Sequence, residues 1–361
     1  MEWRLVNLGE QNWLDTQAIY HALALVKNEY QTPNTLIITW PDQPLVCVGL
    51  HQVIEQSVEL DYIKTTKLPL VRRGTGGGSV YLDSNQLFYQ IICDNQEYNQ
   101  NLKDFYRFFL TPTIKTYTDF GIPAHYSPIN DIIAEGKKIS GNGAVSYDRS
   151  RVLVGNFIFS FPAEHMSKIL KVPDEKFRDK IAKSLKERMG SFEDFLKEIP
   201  RKEEVVQKYL FNFQKDLNIQ LYESNLTKEE KNKIDEIKDM YQQEDWLYYV
   251  EKDKEDLFQQ KIKSGTYFYN TEKKFQGGLV QLFVHFDENK IADIVISGDF
   301  SLSPPYTLKD IQNSLIGQEI NQKKILTILT DIFQSENIDL PGISPSELTS
   351  LIVDTYSRIR K

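Results

Sequence analysis

The residues best placed to do chemistry fall in two short stretches. The first is Val71-Arg72-Arg73-Gly74-Thr75-Gly76-Gly77-Gly78-Ser79-Val80-Tyr81-Leu82-Asp83. A run of glycines behind an arginine pair can turn tightly, approach a ligand closely and aim its N–H groups at an anion. A phosphate loop ending in Gly-Lys-Ser/Thr is excluded, because the glycines run into Ser79 and Val80 with neither a lysine nor a helix signal behind them. The cation for such an anion must come from elsewhere in the chain.

The second stretch, Asn130-Asp131-Ile132-Ile133-Ala134-Glu135-Gly136-Lys137-Lys138-Ile139-Ser140-Gly141, supplies it. Glu135-Gly136 reads as the two-residue turn of a hairpin that pairs Ala134 with Lys137, Ile133 with Lys138 and Asp131 with Ser140. Paired residues share a face, so Asp131, Ile133, Lys138 and Ser140 are expected together, with Lys137 and Ile139 opposite. Lys138 then meets an anion on the same side as the Asp131 carboxylate.

The elements that must position these stretches read as an α+β chain. A helix is expected over 13–26, from the spacing of Ile19, Leu23 and Val26, and strands over 35–40 and 45–48 with a proline turn between them. Strands at 69–71 and 79–81 flank the glycines, followed by a strand at 87–92, a helix over 102–120 and a strand at 151–159. From Pro173 to about Asp245 the composition turns charged and helical. Strands at 265–268, 278–286 and 291–296 follow, and Ser344-Pro345-Ser346-Glu347 is a capping-box start for a last helix over 347–358. His51, next to a glycine, reads as a loop hydrogen-bonder and has no part in the mechanism.

At 361 residues the chain is long enough for two domains with cores of their own. A net charge of -8 argues against nucleic acid as the main partner. Met1-Glu2-Trp3-Arg4 is not a signal peptide, and apolar runs such as 45–50 fall far short of the about 20 residues of a membrane helix. A cytoplasmic protein without a membrane is expected. Cys47 and Cys93 lie in apolar strand-like runs and read as buried reduced thiols, not as a disulfide or zinc site.

With both stretches in view, the chain resembles the lipoate-protein ligases of the biotin/lipoate ligase superfamily. The family's arginine, Ser/Thr and triple glycine correspond to Arg73-Gly74-Thr75-Gly76-Gly77-Gly78, and its Asn-Asp and Lys-Ile/Val-Ser-Gly to Asn130-Asp131 and Lys138-Ile139-Ser140-Gly141. Leu50, in Gly49-Leu50-His51-Gln52, stands where the family carries an arginine, and Leu153-Val154 where it usually carries a histidine pair. The Gly-Arg-Gly-Arg loop of biotin ligases is not found.

The resemblance implies a catalytic domain of mixed and antiparallel sheets packed with helices over 1–245, and a small α+β accessory domain over 246–361. It implies that ATP activates lipoate to lipoyl-AMP, and that a lysine of a carrier domain then takes the lipoyl group. The carriers would be acyltransferase subunits of 2-oxoacid dehydrogenases, the glycine cleavage H protein or relatives. Lys138 would be the catalytic cation between carboxylate and α-phosphate. Arg73 and Thr75 would fix phosphate or carboxylate oxygens, and the backbone at Gly76, Gly77, Gly78, Ser79, Val80 and Tyr81 would hold the nucleotide. Asp131, with Asn130 beside it, would be the Mg²⁺ ligand. The segment from Lys183 to Ser191 would cover the intermediate, and the accessory domain would move between the two steps. Two rivals stay open: an octanoyl or lipoyl transferase working through a cysteine thioester, and a non-catalytic relative that only binds.

Overall fold

The computed structural model describes residues 1–172, 174–251 and 267–359; Pro173, Gly265 and Thr266, which the expected elements include, lie outside the described residues. Strands β1 (Glu2–Gln11), β2 (Thr35–Pro41), β3 (Leu45–Val48), β4 (Leu70–Arg72), β5 (Val80–Leu82) and β6 (Gln86–Asp94) come first. They are followed by β7 (His125–Ser127), β8 (Asp131–Ala134), β9 (Lys137–Ser140), β10 (Asn142–Tyr147), β11 (Ser150–Ile158) and β12 (Gln220–Glu223). Strands β13 (Tyr267–Phe275), β14 (Gly278–Asp287) and β15 (Lys290–Gly298) lie toward the C-terminus.

The central sheet has the order β10-β11-β6-β2-β1-β12 and is mixed: β1 runs parallel to both β2 and β12, and the other neighbours are antiparallel. Its middle strands are apolar on both faces, which requires cover on both sides. Leu36 and Ile38 of β2, with Tyr89 and Ile91 of β6, pack under helices Leu102–Phe109, Thr111–Asp119 and Lys202–Leu217. Ile37 and Ile92 face the other way, against helices Asp15–Glu29 and Lys228–Tyr241. The period of two along each strand thus divides one sheet between two cores.

The C-terminal strands form a separate antiparallel sheet, β13-β14-β15. Helices Leu308–Leu315, Gln322–Ser335 and Pro345–Ile359 close over it around Leu282, Val284, Ile294, Ile325 and Leu351. The expected capping box is present there: the Ser344 N–H donates to Glu347 Oε2 at 2.8 Å, and the Glu347 N–H returns to Ser344 Oγ at 3.3 Å.

Some expectations change. The helix read over 102–120 is two helices, because Pro112 sits in the first turn of the second, where a missing N–H restarts a helix instead of continuing one. Strands β2 and β3 do not pair: β3 lies between β4 and β5 in a small sheet of its own. Strands β1, β10 and β12 were not read from the sequence at all.

Candidate active site

The lysine hairpin turns at Glu135 and Gly136, with φ of 48° and 79°, the double left-handed turn that suits a two-residue connection. Ala134 pairs with Lys137 and Ile133 with Lys138 as expected, but an irregularity then puts Ser140 opposite Ile132 instead of Asp131. An extra residue in one strand shifts every pair beyond it. Ser140 is therefore buried, and its hydroxyl donates to the Asn156 carbonyl at 2.6 Å. Lys138 and Asp131 still meet, Nζ to Oδ1 at 2.6 Å, with side chains 33% and 35% exposed. The chain after helix Arg178–Arg188 comes back to this point: Met189 bridges to Lys138, and the Gly190 N–H donates to the Lys138 carbonyl at 2.8 Å. The end of the segment from Lys183 to Ser191 is thus beside Lys138.

The glycine loop spans the end of β3, entering from parallel β4 and leaving into antiparallel β5. Val80 and Tyr81 lie in β5 opposite Cys47 and Val46. Arg73 and Thr75 do not stand free. Arg73 Nε donates to Thr75 Oγ1 at 3.1 Å, and Nη2 donates to the carbonyls of Gly76 at 2.7 Å and Gly78 at 2.9 Å. Both side chains are turned onto the loop and fix its shape, and Thr75 is fully buried. The loop rests on Gly49-Leu50-His51-Gln52: Gln52 Oε1 accepts from the Gly49 N–H at 2.9 Å and the Ser79 hydroxyl at 3.0 Å. Leu50, at the position of the family's arginine, is a fully buried member of the apolar core. His51 makes no loop hydrogen bond: it is 1% exposed, and neither ring nitrogen has a partner among the described residues.

Gly49 shows why only glycine fits, since an added Cβ would overlap the Gly77 carbonyl oxygen, a backbone atom that cannot swing away. Gly49→Ala is expected to cost about 1–3 kcal/mol through overpacking and to be read as a lowered Tm with the glycine loop displaced.

Strand β10, which begins right after Gly141, joins the two stretches. A Cβ on Gly143 would lie 3.3 Å from Thr75 Oγ1, so backbone and hydroxyl are neighbours. Tyr147 donates its hydroxyl proton to the Gly74 carbonyl at 3.2 Å, while the Gly74 N–H donates to Tyr20 at 3.1 Å. Asn130 and Asn142 exchange side-chain N–H bonds to each other's carbonyls at 2.6 and 2.9 Å. Tyr89 donates to Asn142 Oδ1 at 2.7 Å. Asn142, Tyr20 and Tyr147 escaped the sequence reading, and only Asn142, close behind Lys138-Ile139-Ser140, carried a local signal; Gln52 was in view as the end of Gly49-Leu50-His51-Gln52.

His21 stacks on Tyr147 at 5.1 Å, with Nδ1 2.9 Å from the Tyr241 hydroxyl. Burial pushes its imidazole from 6.5 down to about 4. Between these values the unfolded chain binds a proton that the folded one refuses, so stability is lost as pH falls through that window, by about 1.4 kcal/mol per unit. Melting curves between pH 7 and 5 are expected to fall more steeply for the wild type than for His21→Gln.

Cys47 and Cys93 are fully buried, and burial pushes both thiols up, leaving no accessible nucleophile for a thioester transferase. Among the described residues no cluster of His, Cys, Asp or Glu offers a ready metal site, and no helix is long and apolar enough to cross a membrane.

Comparison with known proteins agrees with this arrangement. Residues 15–214 match the lipoyl protein ligase A/B catalytic domain, and residues 264–352 the bacterial lipoate protein ligase C-terminus. Lipoate-protein ligase LplJ of Bacillus subtilis is 27% identical over 301 residues, covering 82% of this chain and 85% of its own. A bi-partite lipoate protein ligase from Thermoplasma acidophilum, solved in a study with its E2 lipoyl domain, superposes with a TM-score of 0.63 at 28% identity, over 70% of this chain and 99% of its own. A lipoate-protein ligase A bound with ATP gives a TM-score of 0.59 at 25% identity, over 69% and 99%. With a catalytic-domain match over more than half its length and the C-terminal match behind it, the chain belongs to the lipoate-protein ligase family, in the form that carries its own C-terminal domain.

Proposed function

We propose that this chain is an ATP-dependent, AMP-forming lipoate-protein ligase whose activation step is run by Lys138. A lipoate carboxylate oxygen attacks the α-phosphorus, the bond to pyrophosphate breaks, and lipoyl-AMP remains. A carrier lysine amine then attacks the lipoyl carbonyl carbon, AMP leaves, and the amine's proton passes to solvent. Carboxylate and phosphate repel each other, so the first step needs a cation that gains in strength as charge builds between them. The partly exposed Lys138 ammonium, oriented by Asp131 at 2.6 Å, supports that role.

The observation that carries the reading is β10: it leaves the lysine hairpin and lays Gly143 against Thr75, which supports one site shared by the cation and the glycine loop. The N–H groups of the loop would hold phosphate oxygens, and Arg73 and Thr75 would act by fixing the loop's shape. Asp131 offers one carboxylate, which would suit a Mg²⁺ ion brought by the nucleotide, and such an ion would supply charge neutralisation at the phosphates. Asn130, locked to Asn142, would set the direction of that carboxylate. The met substrates are lipoyl-domain carriers of the 2-oxoacid dehydrogenase and glycine cleavage type, in the cytoplasm. The division at 245/246, and movement of the C-terminal domain between the steps, belong to the same proposal. Release of pyrophosphate on mixing the protein with ATP, Mg²⁺ and lipoate tests it; none from the wild type would reject it.

A further inference from the structure

The C-terminal domain does not merely lie beside the glycine loop; one of its peptides is seated in it. Leaving β15, the chain makes three contacts in succession. The Gly298 N–H donates to the His51 carbonyl at 2.9 Å, the Phe300 carbonyl accepts from the Gly77 N–H at 3.1 Å, and Ser303 Oγ accepts from the Ser146 N–H at 3.1 Å. The Phe300 carbonyl comes so close that a Cβ on Gly76 would overlap it. The Phe300 ring stacks on His51 with centroids 5.3 Å apart and planes 15° from parallel.

Two features of this contact call for a ligand. A carbonyl oxygen on a glycine-loop N–H is the neutral counterpart of an anion's oxygen in the same place. His51, buried with both ring nitrogens unpartnered among the described residues, is a polar group held out of water without a hydrogen bond there, which folded proteins rarely leave unexplained. The ring stacked on it belongs to the same Phe300 whose carbonyl accepts from the Gly77 N–H.

We propose that the Gly77 N–H and the His51 imidazole form a phosphate-oxygen site, for the leaving pyrophosphate end of a nucleoside triphosphate, and that the Phe300 peptide occupies it while the C-terminal domain is docked. Phosphate and docked domain then exclude each other. Withdrawal of Phe300 frees the N–H and uncovers a second donor in His51, so the ligand that enters drives the domain off. The inference rests on the nucleotide reading of the loop and adds to it a residue and a competitor.

The test uses the full chain and inorganic pyrophosphate alone, without lipoate, so that failure of ligase activity and failure of this site are separate results. Pyrophosphate affinity is measured by calorimetry, and docking by amide hydrogen exchange over 298–303. Pyrophosphate is expected to speed exchange there in the wild type. If the site is open about one time in ten, Phe300→Ala is expected to bind about tenfold more tightly. Ser303→Ala, which loosens the same docking away from the loop, should move affinity in the same direction, and His51→Phe, which keeps a stacking ring but loses both nitrogens, should bind several-fold more weakly. Exchange over 298–303 that ignores pyrophosphate, docking variants that bind no more tightly than wild type, or unchanged binding in His51→Phe would each overturn the proposal.

Discussion

Pyrophosphate release from ATP and lipoate is expected to fall about 10²–10³-fold in Lys138→Ala, the usual loss on removing one preorganised charge-stabilising group. The substitution removes the cation and also leaves the Asp131 carboxylate, now 2.6 Å from nothing positive, facing two more anions. Its effect on folding is expected to be small. Both partners are about a third exposed, and pairs in that setting contribute about 0–1 kcal/mol. The diagnostic outcome is therefore lost turnover at an unchanged Tm. Turnover within a few-fold of wild type would remove Lys138 from the mechanism, and an equal fall in Tm would make its role structural.

The largest effect on stability is expected at Arg72. Its guanidinium is wholly buried and donates through Nη1 to the carbonyls of Gly49, Leu50 and Gln52 at 3.0, 2.9 and 2.7 Å, and through Nε to that of Leu247 at 2.8 Å. Glu251 stands 3.4 Å from Nη2 with its side chain 12% exposed. Burial pulls the guanidinium down to about 10, against the opposing pull of Glu251, so it remains a cation at neutral pH. Arg72→Met would leave the buried Glu251 carboxylate without its cation and take a donor from each of several carbonyls, at about 3–5 kcal/mol, which is about 5–10 °C in Tm. Arg72→Lys cannot serve so many acceptors from one ammonium and should recover only part of the loss. Because three of those acceptors belong to 49–52, the glycine loop's own support, the variant should also weaken nucleotide binding.

Local rules reached the Lys138–Asp131 pair because a two-residue turn and a period of two fix which residues share a face. They failed one pair further on, at Ser140, because a bulge leaves no mark in composition. The direction of Arg73 was out of reach for a different reason. An arginine beside an anion loop serves the anion or the loop equally well by its chemistry, and the choice depends on carbonyls of Gly76 and Gly78 that only the folded loop turns inward. Strand β10 was missed because Gly143 and Ser146 break its alternation, although it is the strand that unites the site. The contact of His51 with Phe300 joins residues far apart in the chain, and no local pattern anticipates it.

The burial of both thiols has a practical side. Cys93 belongs to the core on one face of the central sheet and Cys47 to the core on the other. Thiol-alkylating agents have no accessible thiolate to find on the folded molecule, so its activity should be indifferent to brief treatment with them. The same two atoms become separate clocks for breathing motions: the rate at which a thiol reagent labels each one reports how often its own side of the sheet opens.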